Sequence, residues 1–291
     1  MKIKRTFGEV VFDVFNVILI FLVMLACIYP LWYVVVASLS TVDSVASGQV
    51  TVWPVGFNLA SYDKIIHTKN IWTSYGNTFY YAIFGTTFSM ILTTLGAYAF
   101  SKRYLYGRKL LTWLFIISMW FGAGMMPAYL NYKNLGLLNN RFGILCCGGI
   151  STFNVILLRT YFESIPAEME ESAKLDGAND FRILFDIYLP LSLLALMTIT
   201  LYYLVGRWNS YFWTMLLVTD EKKISLQVLL KKLVVEMGTN NSEAGSIDYQ
   251  ASSRETMMYA TMVAAILPMV VLYPFIQKYF VKGIMVGAVK G

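Results

Sequence analysis

Six long apolar stretches constrain this chain more than any other feature in it. A helix needs about 20 apolar residues to cross a bilayer core of about 30 Å. Val14–Val36, Thr78–Phe100, Leu110–Tyr132, Phe142–Leu158, Ile187–Gly206 and Thr256–Gln277 meet or approach that length. Backbone groups in lipid must find their hydrogen bonds inside the segment, so runs of this kind specify helices. The expectation is an all-α membrane protein of six transmembrane helices. No internal repeat, low-complexity tract or dividing linker interrupts the chain, so residues 1–291 read as one domain. Composition agrees, with only 14% charged residues where soluble domains carry about 25%. Pro30, Pro127, Pro268 and Pro274 fall within the runs and are expected to kink them. The first run follows the basic start MKIKR, but it is too long for a secretory signal and lacks a small-residue cleavage site, so it reads as a retained span.

The net charge of +6 does not imply a nucleic-acid partner, because the basic residues form no tract or stripe. They cluster instead in short segments between apolar runs, as in Lys2, Lys4 and Arg5, and in Lys102, Arg103, Arg108 and Lys109. Basic loops mark the cytoplasmic side, so both termini are expected there, with lipid around the spans. Cys27, Cys146 and Cys147 offer neither a disulfide framework nor zinc spacing and are expected to be small buried hydrophobes. The one histidine, His67, lies in a polar outside segment with no second histidine to form a metal site or a catalytic pair. H-E-x-x-H and the phosphate-cradling G-x-x-x-x-G-K-[ST] are both absent. No catalytic or metal-binding residue is therefore assigned, and no cofactor is expected on this chain.

Between the fourth and fifth runs stands ESAKLDGANDFRILFDIYLP, Glu171 to Pro190, the most acidic stretch of the chain. Pro166 suits a first helical turn, where Glu168 and Glu170 complement the helix dipole. Glu170 and Lys174 are spaced as an i,i+4 pair. Gly177 can close this helix by adopting positive φ, and Asn179 can cap a second one. Phe181, Leu184, Phe185 and Tyr188 recur at helical spacing as one apolar stripe, after which Leu189-Pro190 is expected to open the fifth span. Two readings follow from the residues alone: an amphipathic element resting on lipid headgroups, or a docking element in which small Ser172 and Ala173 let another surface approach beside charged Glu171.

The same segment resembles the EAA loop of ABC importer permeases, in which E-A-A is followed by three residues, Gly, nine residues, Ile, one residue and Leu-Pro. Here Glu171, Ser172 and Ala173 are followed at those spacings by Gly177, Ile187, Leu189 and Pro190, with Ser172 as a small-for-small departure. The resemblance implies a cytoplasmic coupling helix-turn-helix, contacted through Glu171, Ser172, Ala173, Asp176, Gly177, Ile187, Leu189 and Pro190. NTFYYAIFGTTFSMILTTLGAYAFSK, RWNSYFWTMLLV and YFVKGIMVGAVKG resemble the carbohydrate, maltose-type permeases. FGAGMMPAYLNYKNLGLLNNRFG resembles the branch that imports oligosaccharides or polysaccharide fragments. The family implies a second permease subunit as heterodimer partner, two cytoplasmic ATPase subunits that hold ATP and Mg, and an extracellular solute-binding protein. It also implies that the tail reaches between the ATPases, where composition alone suggests a frayed end.

A charge within a span calls for a functional hypothesis. Arg207 is followed by Trp208, Asn209, Tyr211 and Trp213, a group suited to lining a sugar path, with rings on pyranose faces and polar heads on hydroxyls. The structural alternative is that Arg207 snorkels to the outer interface and the aromatics form its belt. In the outside loop from Thr219 to Glu255, Leu226, Leu229, Leu230, Leu233 and Val234 are expected to share one face of a short helix that meets lipid or a partner. Two alternatives to a sugar importer stand: an ABC permease for a non-sugar solute, and an ion-coupled secondary transporter. The latter would call for paired broken helices in related halves and carboxylates within the spans.

Overall fold

The computed structural model describes residues 7–240 and 249–288, with side chains for 7–235 and 255–274, and every described element is helical. The chain forms two compact units, one made of residues up to Lys69 with Lys232–Ile266, the other of Asn70–Lys231 with the segment from Leu267 onward.

In the first unit, α1 (Phe7–Ser38) is apolar on all sides, and only Val36, Ala37 and Ser38 are buried. A helix apolar all round is one meant for lipid or for a partner's surface. Cys27, expected to be buried, is exposed on it for the same reason. Two short helices follow, α2 (Val42–Ala46) and α3 (Ala60–His67). Val36, Ala37, Val45 and Val50 form a small core with Tyr33 and Tyr259. His67 is exposed at the end of α3.

The second unit starts with the long helix α4 (Lys69–Ser101) and continues through α5 (Arg108–Trp120), α6 (Met125–Asn134), α7 (Arg141–Cys146), α8 (Thr152–Glu163) and α9 (Ala167–Leu175). Next come α10 (Asp180–Ile183), a π-helical turn Leu184–Tyr188 and α11 (Leu189–Leu191), then α12 (Leu193–Trp208) and α13 (Phe212–Leu217). Helices α14 (Leu226–Asn240) and α15 (Tyr249–Ala288) each run from one unit into the other.

Among the described residues, three unbroken helices are long and apolar enough to cross a membrane: α1, α4 and the Glu255–Pro274 part of α15; two bent helix pairs would bring the number to five if each is one span. The runs expected as the third, fourth and fifth spans are each interrupted. Between α5 and α6 the chain bends by 115° at Phe121-Gly-Ala-Gly124, where Gly124 has φ +80°. Pro127 accordingly sits in the first turn of α6, where its missing N–H costs nothing, and kinks no span. The fourth run stops at Cys146 and resumes at Thr152, because Gly148 turns left-handed at φ +63° and Ser151 caps α8. Cys146 and Cys147 are thus half-buried at a helix end rather than enclosed. Leu189-Pro190 stands in α11, just ahead of a bend. The chain turns by 85° at Ser192, and α12 begins at Leu193.

Helix α4 wears its amphipathicity inside out. Ser74, Asn77, Thr78, Ala82, Gly85, Thr86, Ser89, Thr93 and Ala97 are buried, while Phe79, Ile83, Phe84, Ile91 and Leu95 face outward. Lipid is as apolar as leucine, so helices associate there through small residues that permit close approach and hydroxyls that bond across the gap. Thr93 Oγ1 lies 2.7 Å from the Tyr203 hydroxyl. Thr78 Oγ1 accepts from the Leu226 N–H at 2.8 Å. Asn77 Nδ2 donates to the Lys222 and Ile224 carbonyls at 2.9 and 3.0 Å. These last contacts fix the start of α14, whose buried face is Leu226, Val228 and Leu230. Val234, expected on a face that meets lipid or a partner, is exposed. Much of the remaining loop, and residues 289–291 of the tail, lie outside the described residues; the backbone of the tail is helical to Ala288 rather than frayed.

Candidate functional site

The acidic insert folds as the two helices its residues specify. Helix α9 ends in a double bond pattern: the Ala178 N–H reaches the Ala173 carbonyl at 2.9 Å, and the Gly177 N–H reaches Lys174 at 3.0 Å. That closure requires a left-handed residue, and Gly177 has φ +78°. Asn179 then caps α10, its Oδ1 accepting from the Arg182 N–H at 2.8 Å. The expected apolar stripe is divided. Leu184 and Tyr188 are buried with Ile183, whereas Phe181 and Phe185 are exposed. The π-helical turn at Leu184–Tyr188 widens the repeat, so the strict 3.6-residue spacing does not hold across it.

Beneath these helices lies the largest apolar core of the unit: Ala97 and Tyr98 of α4, Val155, Leu158 and Phe162 of α8, Ile183, Leu184 and Tyr188, and Ala195, Ile199 and Tyr203 of α12. Tyr98, Phe162 and Tyr188 meet edge to face, with centroids 5.1 to 6.4 Å apart. Ala173, Ile187 and Leu189 of the insert pack partly against this core. Glu171, Ser172, Asp176, Gly177 and Pro190 are exposed. Two apolar residues join them on the outer side, Met169 and Leu175, the latter 90% exposed.

The carboxylate that enters the molecule is Glu170, the residue before the sequence motif. Its Oε2 accepts from Lys102 Nζ at 2.7 Å and from the Tyr188 hydroxyl at 2.6 Å. Its Oε1 meets Lys174 Nζ at 2.7 Å, the i,i+4 pair that the spacing specifies. Lys102 is itself buried, its ammonium 4.0 Å from the centres of both the Tyr98 and the Tyr188 ring. Burial alone would raise the Glu170 pKa; the hydrogen bonds from Lys102, Lys174 and Tyr188 outweigh it and hold the carboxyl at about 2. Lys102 is pushed below the usual lysine range by burial, with Glu170 opposing the shift. Lys174 is raised by its bond to Glu170. A second acidic residue, Glu163 at the end of α8, binds Arg108 and also Arg159, the latter at 2.9 Å. Two members of the basic loop, Lys102 and Arg108, therefore have ion-pair partners of their own, besides any role in topology.

Arg207 neither snorkels nor extends into open space. Its Nη1 donates to the Ile144 and Cys147 carbonyls at 2.7 and 2.6 Å. Its Nη2 donates to the Leu145 carbonyl at 2.9 Å and to Ser89 Oγ at 3.2 Å. The guanidinium thus closes the end of α7, where a helix leaves its last carbonyls without intrahelical donors. Gly85 makes room for it, because a Cβ there would stand 3.1 Å from Arg207 Nε. The side chain lines a cavity of about 220 Å³ with Tyr202, Tyr203, Ser210, Trp213 and the turn at Cys147-Gly148.

Of the five residues grouped by sequence, the cavity gathers only Arg207 and Trp213. Trp208 is buried against Phe79 and Tyr75 of α4, with centroids 5.1 and 6.1 Å away. Asn209 ends α12, and Tyr211 lies exposed at the start of α13. The pairing of Glu170 with Lys102 escaped the sequence reading, because 68 positions separate them and no local spacing links them. Tyr202, Tyr203 and Ser210 were equally unforeseen. Their one signal is their spacing from Arg207 on the same helix and its following turn.

Comparison with known proteins bears on this geometry. The family model described as "Binding-protein-dependent transport system inner membrane component" matches residues 86–286. The chain is similar to the polygalacturonan/rhamnogalacturonan transport system permease protein YtcP of Bacillus subtilis (strain 168), at 41% identity over 276 residues, covering 93% of this chain and 96% of the relative. It is similar to Protein LplC of the same organism at 34% identity, covering 97% and 95%. A chain in the crystal structure of a bacterial ABC transporter involved in the import of the acidic polysaccharide alginate superposes with a TM-score of 0.88 at 41% identity, covering 96% of this chain and all of that one.

Proposed function

The chain belongs to the binding-protein-dependent transport system inner membrane components, a family of multi-pass membrane permease subunits, and from that premise we propose that it is the translocation subunit of an ATP-driven importer of acidic oligosaccharides. The observation that carries the reading is the two-sided character of α9. It turns Met169, Glu171 and Leu175 outward while Glu170 reaches inward to the end of α4. A helix so placed presents a directional, partly apolar surface to a partner and keeps a charged tie to a span. In this reading the partner is a cytoplasmic ATPase subunit, with ATP and Mg bound there, and Glu171, Ser172, Ala173, Asp176, Gly177, Ile187, Leu189 and Pro190 form the coupling element.

The six apolar runs act as six spans, the third and fifth bent and the fourth broken at Gly148, with both termini cytoplasmic. A second permease subunit completes the path, and an extracellular binding protein delivers solute to it. ATPase closure displaces the insert and switches the bundle between two access states, a rigid-body change of the kind that ligand and nucleotide can bias. The cavity beside Arg207, Tyr202, Ser210 and Trp213 offers rings and hydroxyls to a sugar. The names of the similar proteins, for polygalacturonan/rhamnogalacturonan and for the acidic polysaccharide alginate, support an acidic one.

The test is uptake by proteoliposomes holding the complete assembly, with labelled uronic-acid and neutral oligosaccharides. Uptake of the uronic-acid oligosaccharide is expected to require ATP, and Glu171→Ala is expected to lower it at least 10-fold. Transport by the chain without any ATPase would overturn the importer reading, and equal uptake of neutral sugars would overturn the acidic one.

A further inference from the structure

Helix α9 is held to the body of the protein by few contacts, a shallow one being Lys174 Nζ over the Tyr104 ring at 4.7 Å. None of its residues is fully buried. Ala173 touches the core with a single methyl group, and the capping bonds after Lys174 join the helix only to its own turn. The deep contact is Glu170, whose side chain is 13% exposed and meets Lys102, 5% exposed, at the point where α4 ends. Tyr188 closes the triangle from the π-helical turn, its hydroxyl on the same carboxylate oxygen and its ring on the lysine. Three elements far apart in sequence therefore converge on one oxygen atom.

We propose that the Lys102–Glu170–Tyr188 linkage is the positioning element through which displacement of α9 moves the span α4. The inference rests on the coupling function proposed above and adds the residues that carry the motion inward. A carboxylate held by two donors from different elements resists both pull and push, whereas apolar contact resists only push. Lys102 cannot swing to another partner while two rings flank its ammonium. Glu171, by contrast, points outward and serves the partner; Glu170 acts through Lys102 and touches no partner or substrate.

The experiment uses the complete transporter in proteoliposomes and compares Lys102→Gln, Glu170→Gln, the charge exchange Lys102→Glu with Glu170→Lys, and the apolar pair Lys102→Met with Glu170→Met. The ratio of binding-protein-stimulated to basal ATP hydrolysis is read together with uptake and co-purification of subunits. The single variants and the apolar pair are expected to lower the ratio and uptake at least 10-fold while the assembly stays intact, and the charge exchange is expected to recover the ratio to within about 3-fold of the native value. Native stimulation in the assembled apolar pair overturns the proposal. Loss of assembly in both double variants also overturns it, because the linkage would then serve folding alone. ATP-independent uptake by the native complex would instead defeat the underlying function, so the two failures are distinguishable.

Discussion

A buried lysine and a half-buried arginine organise the larger unit, and they are satisfied in opposite ways. Lys102 is paired with a carboxylate 68 positions away, on a helix that has no other deep contact. Arg207 has no carboxylate among its hydrogen-bond partners; three backbone carbonyls and one hydroxyl receive its protons. The first arrangement joins a peripheral element to a span through an interaction that protonation can break. The second holds an interrupted apolar run in place through partners that do not titrate. A charge that ties moving parts needs a partner that can let go, while a charge that stabilises a helix end can rely on carbonyls that the end itself releases.

Replacing Arg207 should separate the two most sharply. Arg207→Met leaves the Ile144, Leu145 and Cys147 carbonyls without their donor, and at about 1–3 kcal/mol for each buried group left unpaired the loss should be on the order of 5 kcal/mol. Thermal unfolding in detergent should show it as failure to recover folded protein or as a large fall in melting temperature. Glu170→Ala should cost less, about 3 kcal/mol, by leaving Lys102 buried without its counter-ion. The same assay should show a moderate fall with the α7 region intact; a loss larger than that of Arg207→Met would reverse the ranking drawn above.

Acid should reach only one of the two sites. The Glu170 carboxyl is held at about 2, below the ordinary glutamate range. Its stabilising contribution is therefore complete above the unfolded value of about 4.3 and drains away as pH falls from there toward about 2. Melting temperature followed over that window should decline in the native protein, and more shallowly in Glu170→Gln. The smallest effect is expected at Lys174, which meets the other oxygen of Glu170 but is 43% exposed. Lys174→Ala should change stability by less than about 0.5 kcal/mol, since solvent screens such a pair. A loss as large as that of Glu170→Ala would mean that the local i,i+4 contact, and not Lys102, holds the carboxylate.

The contrast also explains what was legible beforehand. The insert could be read closely, because caps, a glycine turn and an i,i+4 pair are local: Gly177, Asn179 and the Glu170–Lys174 pair stand where the sequence puts them. The stripe from Phe181 to Tyr188 failed where a π-helical turn altered the repeat. In the apolar runs, hydropathy located helical material but not its interruptions, since Gly122, Gly124 and Gly148 differ little from their neighbours on an apolar scale yet permit a turn. The buried face of α4 was written in the sequence all along, as small and hydroxyl residues at helical spacing. A rule that buries the largest apolar residues reads it backwards, because in lipid those residues face out.

By itself the sequence determined the helical, membrane-bound character of the chain, the turn at Gly177 and the outward Glu171, since long apolar runs and local caps act over a few residues or through the solvent. Only the tertiary structure decided that Glu170 meets Lys102 and that Arg207 closes α7. Those contacts depend on which helix ends arrive at the same point, and burial makes each charge take whatever partner is there when water is not.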